Sequence, residues 1–238
     1  MYFKMFVIFI LTLFASSVQA KETFVFSTFP STPLVTICET VLRTAYQKME
    51  IEIKILNLPG ERAIRTSNQG ETDGELYRNI NVSQSYINLQ IIPIPIASVD
   101  VVVFSKIKFP VEGWESLRPY SIGVERGFKL LETNTQGMKV NTINTIKKSF
   151  QFLVLDGVDV VVQSRIEGLY HIKTLGLKGI HILEPPIVTE PVYHHLHKKH
   201  TALIPKVTRI LLKMEKDGEL LKIKNEVIKN YLNMNNIR

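Results

Sequence analysis

Short apolar runs of period two alternate along this chain with longer stretches of period three to four. Phe24-Val25-Phe26 reads as a first strand. A loop at Phe29-Pro30-Ser31 follows, and then Thr32 and Pro33 supply an N-cap and a first helical residue. Leu34, Ile37, Cys38, Val41, Leu42, Ala45 and Met49 recur beyond it at helical spacing. Ile51, Ile53 and Ile55 alternate with Glu52 and Lys54, the pattern of a strand, so strand, helix and strand predict a parallel pairing. Pro59-Gly60 opens a short helix that ends at Gly70, and Glu71-Thr72-Asp73-Gly74-Glu75 leads into the next strand. Tyr86–Pro95 is predicted to be extended, its prolines assigning it to an edge or a connection. Val99–Ser105 is nearly all apolar, as in a strand buried on both faces.

The same alternation continues. Strands are predicted at Tyr120–Val124, Met138–Val140, Val158–Val162 and Ile180–Leu183, the last followed by the Pro185-Pro186 and Pro191 turns. Helices are predicted after Gly127, over Thr142–Leu155 and from a Ser164 cap to Leu175, with Gly176 as the stop. Leu203, Ile204, Val207, Ile210, Leu211 and Met214 form one amphipathic stripe, and Leu220–Leu232 forms another beyond Asp217-Gly218. Strands alternating with helices argue for an α/β chain with mainly parallel sheets.

The first twenty residues follow a different logic. Lys4, the apolar run Met5–Ala15 and small residues at Val18 and Ala20 are the marks of a secretory signal peptide cleaved after Ala20. The run is shorter than the roughly 20 apolar residues that span a bilayer. Removing 20 of 238 residues leaves 218, enough for one large domain or two small lobes. Cys38 is the only cysteine, so no internal disulfide is available; its place on an apolar helix face makes it a structural thiol. Export without disulfides suits a bacterial periplasm. The net charge of +7 is spread along the chain without a block of like charges, and the Lys-rich C-terminal stretch has acids interleaved. That pattern is a solvated face rather than a nucleic-acid patch.

Several segments together carry a family likeness. They are Leu58-Pro59-Gly60-Glu61-Arg62-Ala63, Asn68–Arg78, Tyr86-Ile87-Asn88-Leu89, Ile122–Gly127, Asp156–Val162, Tyr193–His200 and Leu212–Gly218. In this order and spacing the chain resembles the periplasmic solute-binding proteins typified by polar amino-acid receptors, over nearly all of residues 23–225. The resemblance implies the type II two-lobe α/β fold, each lobe a mainly parallel sheet flanked by helices, with a ligand cleft between lobes. It implies a first lobe of residues 21–105 and 190–238 and an inserted second lobe of residues 106–189, with crossings near Ser105 and Val188–Val192. The implied function is non-enzymatic binding of a small polar solute, amino-acid-like or anionic, by a monomer without cofactor. The solute would pass to a membrane transporter or to the outer domain of a sensor.

The candidate ligand residues are Phe29, Arg62, Glu75, Arg78, Arg126 and Gln163. Arg62, at a helix start, has the fork that grips a carboxylate. Arg78 falls in the region where amino-acid receptors keep a carboxylate-binding arginine, and Glu75 could orient it. Phe29 offers a ring for stacking or cation–π contact. Arg126-Gly127-Phe128 lies at a strand-to-helix turn whose amides suit an anion. Amino-acid receptors carry an acid just after the second-lobe strand, where this chain has Gln163-Ser164; that departure favours a neutral or anionic solute over a zwitterion. Two rival readings remain. Four of the six histidines lie in His194–His200, and helical spacing there would make a metal-binding module. An enzyme on the same scaffold is the other, although G-x-S-x-G, P-loop and G-x-G-x-x-G motifs are all missing.

Overall fold

A computed structural model describes residues 22–28 and 32–233. The signal-peptide segment and Phe29 lie outside the described residues. Strand β1 (Thr23–Thr28) runs into helix α1 (Pro33–Gln47), which starts where Thr32 accepts the Val35 N–H at 3.3 Å. The apolar stripe of α1 buries Val35, Ile37, Cys38, Val41, Leu42 and Ala45 against the sheet. Strand β2 (Glu52–Asn57) lies parallel to β1. Helix α2 (Gly60–Asn68) then crosses to β3 (Gly74–Arg78), also parallel to β1. Gly74 is required there: a Cβ would sit 2.2 Å from the His195 carbonyl oxygen across the strand pair. One helical turn, α3 (Val82–Ser85), precedes β4 (Leu89–Ser105).

The next part holds β5 (Ile122–Glu125), α4 (Lys129–Asn134), β6 (Val140–Ile143), α5 (Ile146–Val154), β7 (Val160–Ser164) and α6 (Arg165–Thr174). It returns through β8 (His181–His197), and the chain finishes with α7 (Ile204–Lys216) and α8 (Glu219–Asn233).

All eight strands form one sheet in the order β2-β1-β3-β8-β4-β7-β5-β6. Three elements differ from the sequence expectation: β6 takes in Thr142 and Ile143, which the pattern gave to the following helix, and β4 and β8 are longer than predicted. β4 and β8 are single 17-residue strands, paired antiparallel from Leu89↔His197 to Ser105↔His181, where the pattern predicted shorter strands broken by prolines. The prolines fit because each strand is an edge for part of its length. β7 joins β4 only over Val101–Ser105, beyond Pro93 and Pro95, and β3 joins β8 only over Tyr193–Leu196, beyond Pro185, Pro186 and Pro191. A missing N–H costs nothing where no ladder bond is due.

The core changes along these two strands. On one side of Val99, Phe24, Phe26, Ile37, Leu42, Ile53, Leu76, Ile92 and Val192 pack with Val207, Leu211, Met214, Ile223 and Val227 of the last two helices. On the other side, Val101, Val103, Ile122, Val124, Leu131, Val160 and Val162 cover one face, while Val102, Phe104, Phe150, Leu153 and Val161 cover the opposite face. Val99 itself touches the first core and the first of the latter two.

Candidate functional site

Strand direction makes two sets of strand ends face each other. β3 and β4 are both antiparallel to β8, so β1, β2 and β3 run in the direction of β4. β7 is antiparallel to β4, and β5 and β6 are parallel to β7. The C-terminal ends of β1 and β3 therefore point along the sheet at those of β5 and β7. Arg78 is level with Tyr193 and Pro95, and Ser164 with Val101. The two levels are six positions apart on β4, about 20 Å at the usual rise per residue. Carboxyl ends of strands in open α/β sheets are where loops gather and ligands bind.

The first wall is built on Glu75. Its side chain is fully buried, opposite His195 on the neighbouring strand. It accepts hydrogen bonds from Ser27 (2.9 Å) and Ser67 (3.2 Å) and pairs with Arg78, whose Nη2 is 2.5 Å from Oε1. Burial raises its pKa, and the nearby guanidinium and hydroxyls pull the other way. Arg78 also donates to the Gly60 carbonyl at 2.8 Å, which ties the end of β3 to the start of α2. Thr28, at the end of β1, is completely buried, and its hydroxyl has no hydrogen-bond partner among the described residues.

The second wall consists of Glu125, Gln163 and Glu167. Gln163 is buried and spans two strands: its Nε2 donates to Glu125 Oε2 at 3.0 Å, and its Oε1 accepts the Ser164 N–H at 2.7 Å. Glu125 has a raised pKa because of burial. Glu167 lies on α6 beside the start of α1, close enough for Thr32 and Leu34 to act on its carboxylate. Burial, with the Glu125 charge beside it, pushes Glu167 up to about 7. Arg165 fastens this region to the crossing strands through Glu184 on β8 and Asp100 on β4.

No family model and no curated protein matches the chain. Solved structures do. A histidine kinase sensor domain with similarity to periplasmic binding proteins superposes with a TM-score of 0.70 at 15% identity, over 87% of this chain and 96% of that one. An ancestral arginine-binding protein bound to glutamine gives 0.66 at 18% identity, covering 86% and 96%. The GluR0 ligand-binding core in complex with L-glutamate gives 0.68 at 13% identity, covering 89% and 99%.

The chain has the type II periplasmic-binding-protein fold.

Within this fold, the sequence-derived residues separate into groups. Glu75 and Arg78 meet at one wall and Gln163 lies at the other. Arg62 is exposed on α2, beside a hollow lined by Pro59, Glu61, Arg65, Thr66 and Gln69, and the neighbouring Glu61 is bound to Arg65. Arg126 is exposed and donates to Asn144 Oδ1 at 3.0 Å, at a hollow shared with Lys148 and Phe152. The amides expected there for an anion are taken: Arg126 N–H by Ile143, Gly127 N–H by Glu132 and Phe128 N–H by Glu125.

The histidines are not on a helix. His194, His195 and His197 belong to β8, and His200 to a 3-10 turn. His194 is buried with Nδ1 2.9 Å from the Glu75 carbonyl and Nε2 2.9 Å from the Tyr46 hydroxyl. Burial drives its pKa down to about 3, so the ring is neutral, donates from Nδ1 and accepts the Tyr46 proton at Nε2. His200 donates to Asp73. Among the described residues no three His, Cys, Asp or Glu side chains are placed to hold a metal ion.

Glu125, Glu167 and Thr28 were not among the sequence-derived residues. Ser164-x-x-Glu167 has the spacing of a capping box, which would mark Glu167 as a local helix residue. Ser164 makes no side-chain cap bond, and Glu167 lies beside the start of α1.

Proposed function

We propose that the chain is a non-enzymatic receptor that closes two lobes on a small polar solute held between Arg78 and Thr28 on one wall and Glu125, Gln163 and Glu167 on the other. The observation that carries this reading is the convergence of the strand ends from both directions across the β4–β8 crossing. The lobes would be residues 21–105 with 190–238, and residues 106–189. Their separate hydrophobic cores, and the return of α7 and α8 onto the first, support that division. Two connecting strands are the usual hinge for lobe closure.

Export to a periplasm would follow from the leader at residues 1–20. No helix of the described residues is long and apolar enough to cross a membrane. Solved structures similar in fold include the substrate-binding protein of an amino acid ABC transporter and histidine kinase sensor domains, so the downstream partner would be a transporter or a sensor. The buried, hydrogen-bonded state of His194 favours a structural role for the histidine cluster over metal binding.

A thermal-shift screen of small metabolites tests the proposal. A solute at a hundredfold excess over its Kd should stabilise the protein by about 2.7 kcal/mol. Gln163→Ala should reduce that shift, and mass spectrometry should recover the solute unaltered. Turnover of the solute, or a shift indifferent to Gln163 and Arg78 substitution, would refute the reading.

A further inference from the structure

We infer that β6 is a docking edge for an extended, acidic polypeptide segment of a partner protein, which adds a strand to the sheet there. The inference concerns the outermost strand rather than the facing strand ends, and it holds whatever the cleft binds.

The sheet ends at β2 on one side and at β6 on the other. β2 is guarded. Glu52 and Lys54 place charges along it, and Arg43 of α1 donates to the Ile53 carbonyl at 2.7 Å. Glu52 and Leu58 give their N–H groups to β1, so Ile53 faces the other way and its carbonyl is an edge acceptor already taken. β6 has none of these devices. Val140-Asn141-Thr142-Ile143 carries no charge and no proline, and it pairs with β5 without a bulge. The Ile122 N–H goes to the Lys139 carbonyl, and the Arg126 N–H goes to the Ile143 carbonyl. In a parallel ladder that alternation turns the N–H and C=O of Val140 and Thr142 outward. Among the described residues nothing bonds to these four groups.

Two residues make a short ladder, so side chains must supply the rest of a binding site. A hollow beside the edge provides them. α5 starts at Ile146, just after β6, and doubles back along it. Lys148 therefore stands toward the Asn144 end of the strand, and Phe152, one turn later, toward the Val140 end; both line the hollow with the strand itself. Phe152 is 46% exposed, although its ring lies against Gly157. Arg126 closes the Asn144 end by donating to the Asn144 side chain. Neither Arg126 nor Lys148 has an ion-pair partner among the described residues. The acids of neighbouring turns are engaged elsewhere: Glu132 accepts the Gly127 N–H, and Asp159 accepts from Ser121.

These features choose the partner. A phosphate backbone would suit the cations but not a row of main-chain donors and acceptors. A second copy of this chain, paired through β6, would bring two Arg126 and two Lys148 side chains into one interface and none of the missing acids. An extended segment with Asp or Glu toward Asn144 and an apolar residue toward Phe152 satisfies the ladder and both ends of the hollow.

The test pans a displayed random heptapeptide library on the intact protein. Peptides that combine acidic and apolar residues should be enriched. The best of them, synthesised with a fluorescent label, should bind by polarisation with an affinity that falls as salt rises. Arg126→Glu/Lys148→Glu should weaken binding about tenfold or more. Thr142→Pro removes an outward N–H without removing a bond to β5, and it should abolish binding. The same peptide N-methylated at alternate residues reads the ladder on unaltered protein, so it decides the matter if Thr142→Pro fails to fold. Methylation of one alternate set should abolish binding, and methylation of the other should leave it. Enrichment without acidic residues, or no enrichment, overturns the inference, as does an equal effect of the two methylation sets. A wild-type dimer in sedimentation equilibrium that Thr142→Pro dissociates would make a second copy the occupant and overturns it too.

Discussion

Removing Glu75 should expose how the first wall is held. Glu75→Leu takes a carboxylate from a fully buried position and breaks its ion pair with Arg78, whose side chain is 13% exposed. Breaking a buried ion pair from one side costs about 3–5 kcal/mol, because the remaining charge stays desolvated. The lost serine bonds add little, since Ser27 can still donate to the Ala63 carbonyl at 2.9 Å and Ser67 to the Ile64 carbonyl at 3.0 Å. Arg78 also retains its bond to Gly60, which places the cost at the lower end of that range. Arg78→Met behaves differently. The abandoned carboxyl can escape by taking a proton, and burial already raises its pKa. Its folded pKa then lies above the unfolded value, so this variant should lose stability as pH rises from the unfolded value through the folded one. The double variant Glu75→Leu/Arg78→Met leaves no buried charge and should fall within about 2 kcal/mol of wild type. Urea unfolding at several pH values measures all three. A Glu75→Leu cost below about 1 kcal/mol, or a double variant equal to the sum of the singles, would refute the reasoning.

Other outcomes follow from single contacts. Gly74→Ala puts a Cβ 2.2 Å from the His195 carbonyl, a backbone clash that should cost about 3 kcal/mol or more in urea melts by forcing β3 from β8. Glu167, held at about 7, binds its proton more tightly folded than unfolded, so it makes the fold less stable as pH rises from about 4.5 to 7. Glu167→Gln should remove up to about 3 kcal/mol of that decline, read from melting temperatures across the range. His194 works in the opposite sense. With a folded pKa of about 3, its contribution is present above the ordinary 6.5 and is lost as pH falls toward 3, so His194→Gln should flatten the acid limb of the stability profile. Cys38 is fully buried, and burial raises its thiol pKa, so a thiol reagent should label it only at the rate of unfolding.

The sequence carried the elements well where local rules act alone. Thr32-Pro33 opens α1, the Ile51-Ile53-Ile55 alternation is β2, and the tail stripe over Leu203–Met214 becomes α7. It broke down where partners decide. Pro93 and Pro95 were legible as marks of an edge or connection, but Pro185 and Pro191 read as turns, because the sequence does not show that β4 and β8 run on as single long strands through them. Histidine spacing suggested a helix at residues 194–200, but period two is the true one, so His194 and His195 face opposite sides of β8. Glu75 and Arg78 were legible because they are three residues apart on one strand. Glu125 and Glu167 were not, because their proximity depends on β5 and β7 being neighbours.

The most direct test is a crystal structure of the protein saturated with the best-binding small molecule from the thermal-shift screen. The account predicts density between the facing strand ends, within hydrogen-bonding distance of Gln163 or Glu125 on one side and Arg78 or Thr28 on the other. A molecule bound anywhere else, with that space filled only by solvent, would contradict it.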